Sequence, residues 1–175
     1  TIDGALSNLR NLTLTSAGTI RLNIGAVTTS GSQTYNGAIT LGGDTTLTGT
    51  TVTTKAALAG ANNELHIVGN AVFGDSSSDS LTGLTSLDVT GSTTINTSTL
   101  TTSGTQTYNG AVSLGSSTTL TGSLISFFGT VSGSNSLSIN GDAIFGDSSL
   151  DTVTLSGSNK ALSVSGTAVI NANIR

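Results

Sequence analysis

The sequence has no cysteine, proline, methionine or tryptophan, a single histidine, and only two tyrosines and four phenylalanines as aromatics. Without cysteine there is no disulfide and no thiolate metal site. Lys and Arg together number five, so no basic patch can form to displace counterions, and nucleic acid is not an expected partner. No apolar run is long enough for a membrane-spanning helix, and no membrane insertion is expected. Charged residues make up 8% of the chain, and the net charge of −4 is thinly spread. What is there is Thr, Ser, Asn and 23 glycines around 35% hydrophobic residues. Such a composition alone suits a flexible linker. The hydrophobic residues, however, recur in a strict pattern that a linker would not need.

The pattern has two levels. Gln33-Thr34-Tyr35-Asn36-Gly37-Ala38-Ile39-Thr40-Leu41 returns as Gln106-Thr107-Tyr108-Asn109-Gly110-Ala111-Val112-Ser113-Leu114, so that position 33 maps onto position 106. The echo continues from Thr45-Thr46-Leu47-Thr48-Gly49 to Thr118-Thr119-Leu120-Thr121-Gly122. Beneath it lies a nine-residue unit: apolar, x, apolar, x, small, x, small, x, apolar. Seven copies run from Leu12, Leu14, Ser16, Gly18, Ile20 to Leu162, Val164, Gly166, Ala168, Ile170.

Alternation with period two is the mark of strands with one buried face, and helical spacing is missing throughout. The small residue in mid-unit suits a corner, so each copy reads as two short strands meeting at a bend. The copies recur about every 25 residues, (164 − 14)/6, which leaves room for a third strand in each repeat. The expected fold is therefore all-β: a parallel β-helix of about seven coils, three strands per coil, with right-handed crossovers. Residues 1–175 form a single β-helical repeat region in which the long echo is a three-coil super-repeat, part of a longer chain or fibre. Phe73 and Phe145, like Tyr35 and Tyr108, are expected to share a position three coils apart. A sandwich of hairpins fits less well, because Asn140-Gly141 falls where other copies have Val68-Gly69 or Ser165-Gly166.

Candidate chemistry is sparse. Phe73-Gly74-Asp75-Ser76-Ser77-Ser78-Asp79 and Phe145-Gly146-Asp147-Ser148-Ser149-Leu150-Asp151 each space two acids. Calcium needs six to eight oxygen ligands, so Asp75/Asp79 and Asp147/Asp151 read better as turn residues bonding their own backbone. His66, between Leu65 and Ile67, points outward and makes neither a triad nor a zinc site. Asp3, Asp44, Glu64, Asp88 and Asp142 are scattered singly, which does not suit a sugar-cleaving enzyme. No catalytic residue, metal or cofactor is expected, and no enzyme activity. Ice binding needs Thr-x-Thr at one register in every coil. Following Thr46/Thr48 along the copies gives Val72/Gly74 and Thr94/Asn96, a broken column.

The strings Ser32–Gly42 and Thr45–Gly49, with Asn70-Ala71-Val72-Phe73-Gly74 and Leu84-Thr85-Ser86-Leu87-Asp88-Val89, resemble repeats of filamentous-haemagglutinin-like bacterial surface proteins. The resemblance covers most of residues 6–170 and is specific to repeat type. It implies a secreted or surface-bound β-helical shaft acting in adhesion or aggregation, extracellular or on the bacterial cell surface. Apart from the resemblance, the unpaired strand edges of the two end coils invite pairing with neighbouring coils or with further copies. The alternative is a subunit that polymerises end to end into an extracellular filament or sheath. The hydroxyl-rich composition permits a lower alternative, a module that binds host or bacterial surface glycans. The Asn-Pro motifs of the family's secretion domain are absent, since the chain has no proline.

Overall fold

The computed structural model describes residues 1–4 and 6–175. Short stretches of Thr, Val, Ile and Leu alternate between a buried and an outward face, a pattern that favours pleated backbone over helix. Among the described residues the chain forms twenty strands and no helix. Every strand pairing among them is parallel. The order is cyclic. Leu6–Leu9, Leu12–Leu14 and Ile20–Leu22 occupy a first, a second and a third face. Ala26–Thr29, Gln33–Tyr35 and Ile39–Leu41 then pair with them in the same order. Each circuit is one coil of three strands, and about nine turns stack into a parallel β-solenoid. The longest strand, Leu58–Phe73, passes through two corners and pairs in turn on the third, first and second faces.

The expected parallel β-helix with three strands per coil is the observed fold, and the coil number lies close to the seven counted from the sequence. The coils are shorter than the spacing between copies of the nine-residue unit. Val27 stacks on Leu47 and Leu47 on Ile67, each a step of 20. The unit accounts for the difference, because it marks a strand, a corner and a strand, and all three corners use it. Residues 12–20 join the second face to the third, 39–47 the third to the first, and 65–73 the first to the second. Successive copies therefore lie a little over one coil apart.

The long echo needs the same correction. Tyr35 lies on the second face, stacked between Leu14 and Thr54, whereas Tyr108 lies on the first, between Val89 and Phe127. Phe73 and Phe145 are divided in the same way. Passing from a motif to its echo advances the chain by three coils and two further faces, so these pairs do not share a column. Instead Tyr108, Phe127 and Phe145 form one stack on the first face, with ring centroids 5.3 Å apart and planes within 10° of parallel.

The interior is one continuous core from Ile20 to Val153. Stacked strands sit about 4.8 Å apart, so each inward side chain is covered by the coils above and below. Burying a Leu, Ile or Val completely is worth about 1.5–3 kcal/mol, which makes these columns the main source of stability. Polar side chains enter the core where a carbonyl can receive them. The hydroxyl of Thr45 donates to Gly43 O at 2.8 Å, and that of its echo, Thr118, donates to Thr97 O at 2.8 Å. Thr54, Thr93 and Thr97 are different, their buried hydroxyls having no partner among the described residues. Thr54 lies fully buried between Tyr35 and Phe73. Thr54→Val keeps the shape and removes a dehydrated hydroxyl, so it is expected to stabilise the fold by about 1 kcal/mol. Thr118→Val should destabilise it by a similar amount. Paired urea titrations check both signs, and a loss of stability for Thr54→Val would contradict the packing described.

Two glutamines are the other buried polar groups of consequence. Gln33 Nε2 donates to Thr48 O at 2.8 Å and Val27 O at 3.0 Å, and the Tyr35 hydroxyl donates to Gln33 Oε1 at 2.8 Å. Gln106 repeats this on another face, donating to Thr121 O at 2.8 Å and receiving the Tyr108 hydroxyl at 3.0 Å. Burial pushes both phenols well above their ordinary value of 10.0. Above that pH an unfolded chain releases protons that the folded chain retains, so stability is complete below about pH 10 and falls as pH rises further. Two phenols give a slope of about 2.7 kcal/mol per pH unit. With no other tyrosine and no tryptophan in the chain, tyrosinate absorbance is a clean monitor. It should appear together with loss of β circular dichroism. Tyrosinate forming in a chain that keeps its β signal would show that the rings are accessible.

Candidate functional surface

The solenoid separates two kinds of polar residue, those at corners and those on faces. Corner side chains bind the neighbouring coil. Asn11 Oδ1 accepts from Ser32 N at 2.9 Å, and Asn70 Oδ1 accepts from Ser92 N at 2.9 Å. Asn96 Nδ2 donates to Gly74 O at 2.9 Å, and Asn135 Nδ2 to Leu114 O at 3.0 Å. The corner is where the ladder would otherwise leave backbone groups unpaired, and Asn offers both a donor and an acceptor at short reach.

The scattered acids mostly act in the same way. Asp44 Oδ1 accepts from Glu64 N at 2.8 Å, Asp142 Oδ1 from Thr167 N at 2.7 Å, and Asp3 Oδ1 from Asn23 Nδ2 at 2.7 Å. His66 does face outward. Its Nδ1 lies 2.9 Å from Asp88 Oδ2 on the next coil, and Asn109 Nδ2 donates to Asp88 Oδ1 at 2.8 Å. Both members of the His66–Asp88 pair are more than a third exposed, so their attraction is weak and screened.

The two acidic loops are turns closed by their own carboxylates. Asp79 Oδ2 accepts from Asp75 N at 3.2 Å and Ser76 N at 3.1 Å. Asp151 Oδ2 accepts from Asp147 N and Ser148 N at the same distances. Gly74 (φ 77°) and Gly146 (φ 79°) start the turns in the left-handed region that glycine tolerates. Asp79 and Asp151 each commit an oxygen to backbone, as the sequence suggested. Among the described residues no three His, Asp or Glu side chains gather as a metal-binding group.

The faces are different in kind. On the third face Ser80, Thr99, Thr119, Ser138 and Ser163 stand in register on five successive coils. Beside them Thr101, Thr121 and Asn140 form a second column. The second face carries one column of Thr13, Thr34 and Thr53, interrupted by Val72 and resumed by Thr94 and Ser113. Following Thr46/Thr48 from copy to copy missed these columns, because Thr46 stacks on His66 on the first face while Thr119 belongs to the third. The signal that could have found them is Ser/Thr-Leu-Thr at 80–82, 99–101 and 119–121, close to the length of one coil apart.

No family model, curated protein or solved structure matches this chain.

Proposed function

We propose that this chain is a structural shaft: a β-helical spacer of an extracellular bacterial adhesin or surface fibre that holds a binding region away from its base. The observation that carries the reading is the stack of parallel strands, paired from coil to coil around one core, with polar residues joining the coils at their corners. A load along the axis meets strands hydrogen-bonded across every coil junction, and each coil draws its stability from its neighbours. The filamentous-haemagglutinin-like repeat strings supply the adhesin and cell-surface part of the reading. A shaft needs no catalytic centre, and we assign none.

A second reading is favoured by the two end coils. Leu6, Leu12 and Leu14 at one end are only partly buried, and Ile170 and Ile174 at the other are 53% and 48% exposed. These positions continue the inner columns, so a further coil would cover them, supplied by the same polypeptide or by another copy. Antibodies against this chain, applied to intact cells and to denatured whole-cell protein, test both readings. Surface labelling with a band far above 17.2 kDa supports the shaft. Surface labelling with a band near 17.2 kDa supports end-to-end assembly. Labelling only after cell lysis would overturn both.

A further inference from the structure

We propose that Asn109 is a site of spontaneous modification, at which the folded chain loses ammonia from the side chain and gains a carboxylate. The inference is independent of the shaft reading and starts from what a corner demands. A corner takes a short polar side chain that bonds the coil below, followed by a residue small enough to press against that coil. Asn followed by Gly meets both demands, and the chain uses the pair at Asn36-Gly37, Asn109-Gly110 and Asn140-Gly141. Asn36 Nδ2 donates to Thr15 Oγ1 at 3.0 Å, and Asn109 Nδ2 donates to Asp88 Oδ1 at 2.8 Å and Val89 O at 2.9 Å. A Cβ on Gly37 would stand 2.6 Å from Ser16 O, and one on Gly110 would stand 2.6 Å from Gly91 O. Only glycine fits either place.

The same pair is chemically self-reactive. When the glycine N–H gives its proton to hydroxide, the nitrogen can attack the asparagine Cγ. The N–Cγ bond forms, the Cγ–Nδ2 bond breaks, and Nδ2 leaves as ammonia with a proton taken from water. Water then opens the succinimide ring that remains. Attack at one ring carbonyl gives aspartate, and attack at the other gives isoaspartate, whose main chain runs through the side chain. Water is the only co-reactant, and nothing is oxidised or reduced. Glycine favours the step because no side chain shields its nitrogen.

The surroundings single out Asn109 from the other two. Among the described residues Gly110 N makes no hydrogen bond, whereas Gly141 N donates to Ser165 Oγ at 3.1 Å and lies within the strand Leu137–Phe145. Gly37 N makes none either, but Gly37 is buried, while Gly110 is half-buried and Asn109 exposed. The cover explains the difference. Strand register sets Ala56 over Gly37 but a glycine, Gly129, over Gly110. Hydroxide therefore reaches Gly110 N more readily. The bonds of Asn109 to Asp88 and Val89 hold back the turn of its carboxamide. Water can take their place at an exposed corner, so breaking them costs less than opening a covered one. Loss of the amide removes the donor to both groups and sets a second carboxylate beside Asp88, whose other oxygen already faces His66 Nδ1 at 2.9 Å. The modification thus loosens a polar link between coils.

The test uses an internal control. Thr34-Tyr35-Asn36-Gly37-Ala38 and Thr107-Tyr108-Asn109-Gly110-Ala111 are the same residues in the same order, so any difference between them comes from the fold. The 175-residue chain is held in mildly alkaline buffer, folded or unfolded in urea. Peptide mass spectrometry follows the gain of about 1 Da at each asparagine. In urea Asn36 and Asn109 are expected to react at equal rates. In the folded chain Asn109 is expected to react about tenfold faster than Asn36, the factor that one net hydrogen bond of corner opening supplies. Asn140 should also lag behind Asn109. Ala56→Gly thins the cover of Gly37, so it should raise the rate at Asn36 several-fold and leave Asn109 unchanged. A circular dichroism melt confirms that this variant folds, and the wild-type comparison decides the matter if it does not. Equal rates at Asn36 and Asn109 in the folded chain would overturn the proposal. So would a folded chain in which Asn140 reacts first, or in which Asn109 stays intact while it reacts in urea. An unchanged rate at Asn36 in folded Ala56→Gly would overturn it as well, since the cover would then not set the difference.

Discussion

Phe127→Ala is expected to lower stability by about 3–5 kcal/mol. Phe127 is fully buried and stacked between Tyr108 and Phe145, with both centroid distances 5.3 Å. In many cores a truncated side chain is partly replaced by collapse of its surroundings. Here the neighbours are fixed by the ladder: Tyr108, Phe127 and Phe145 pair directly through their backbones, about 4.8 Å from coil to coil. The cavity should therefore stay open, which places the cost toward the upper end of the range. Phe73→Ala is the comparison. Phe73 is equally buried, but its column neighbours are Thr54 and Ile95, so it has no aromatic partner. The excess cost at position 127, expected to be about 0.5–1.5 kcal/mol per stacked pair, isolates the stacking. Denaturant titrations of the two variants measure it. Equal costs would mean that parallel stacking adds nothing beyond burial. Because stability in a solenoid passes between neighbours, Phe127→Ala should also broaden the transition as the coils on either side uncouple.

The strand, the corner and the parallel coil were legible in the sequence because each is written locally. Leu65-His66-Ile67 alternates, Gly69 bends, and Ala71-Val72-Phe73 alternates again, whichever face receives them. The coil length was not legible, for the same reason. Nothing in 12–20, 39–47 or 65–73 says which of the three corners it makes, so counting copies could not recover the length of a coil. The long echo carried the missing information in hidden form. It spans three coils and two faces, eleven strand segments in all, a number that three does not divide. A motif and its copy must therefore land on different faces. The expectation that Phe73 and Phe145 share one position three coils apart fails, and the hydroxyl columns were overlooked, because of that one remainder. The corner contacts of Asp79 and Asp151 were readable because a carboxylate bonding its own turn is a short-range event.

If the three faces are interchangeable, the two buried glutamines should respond alike, and Gln33→Leu and Gln106→Leu are each expected to cost about 3–6 kcal/mol. Leucine fills much of the same space but returns nothing to the groups that glutamine satisfied. At position 106 these are the Thr121 carbonyl and the Tyr108 hydroxyl, with the Leu100 carbonyl at 3.4 Å. At position 33 they are the Thr48 and Val27 carbonyls and the Tyr35 hydroxyl. Each buried group left without a partner costs about 1–3 kcal/mol. Removing the tyrosine hydroxyl as well should recover part of the loss, so Gln106→Leu combined with Tyr108→Phe should be more stable than Gln106→Leu alone. That coupling is what a double-mutant cycle measures. Thr29 and Thr102 complete the two settings, donating to Gly31 O and Gly104 O at 3.0 Å. One network therefore stands on the second face and the other on the first, with closely matching contacts in both. Similar costs at 33 and 106 would mean that sequence alone determines the network and that a face is only a place to put it. A large difference, read from the same denaturant titrations, would mean that the neighbouring coils determine it, and the echoed unit could not then be moved around the solenoid without penalty.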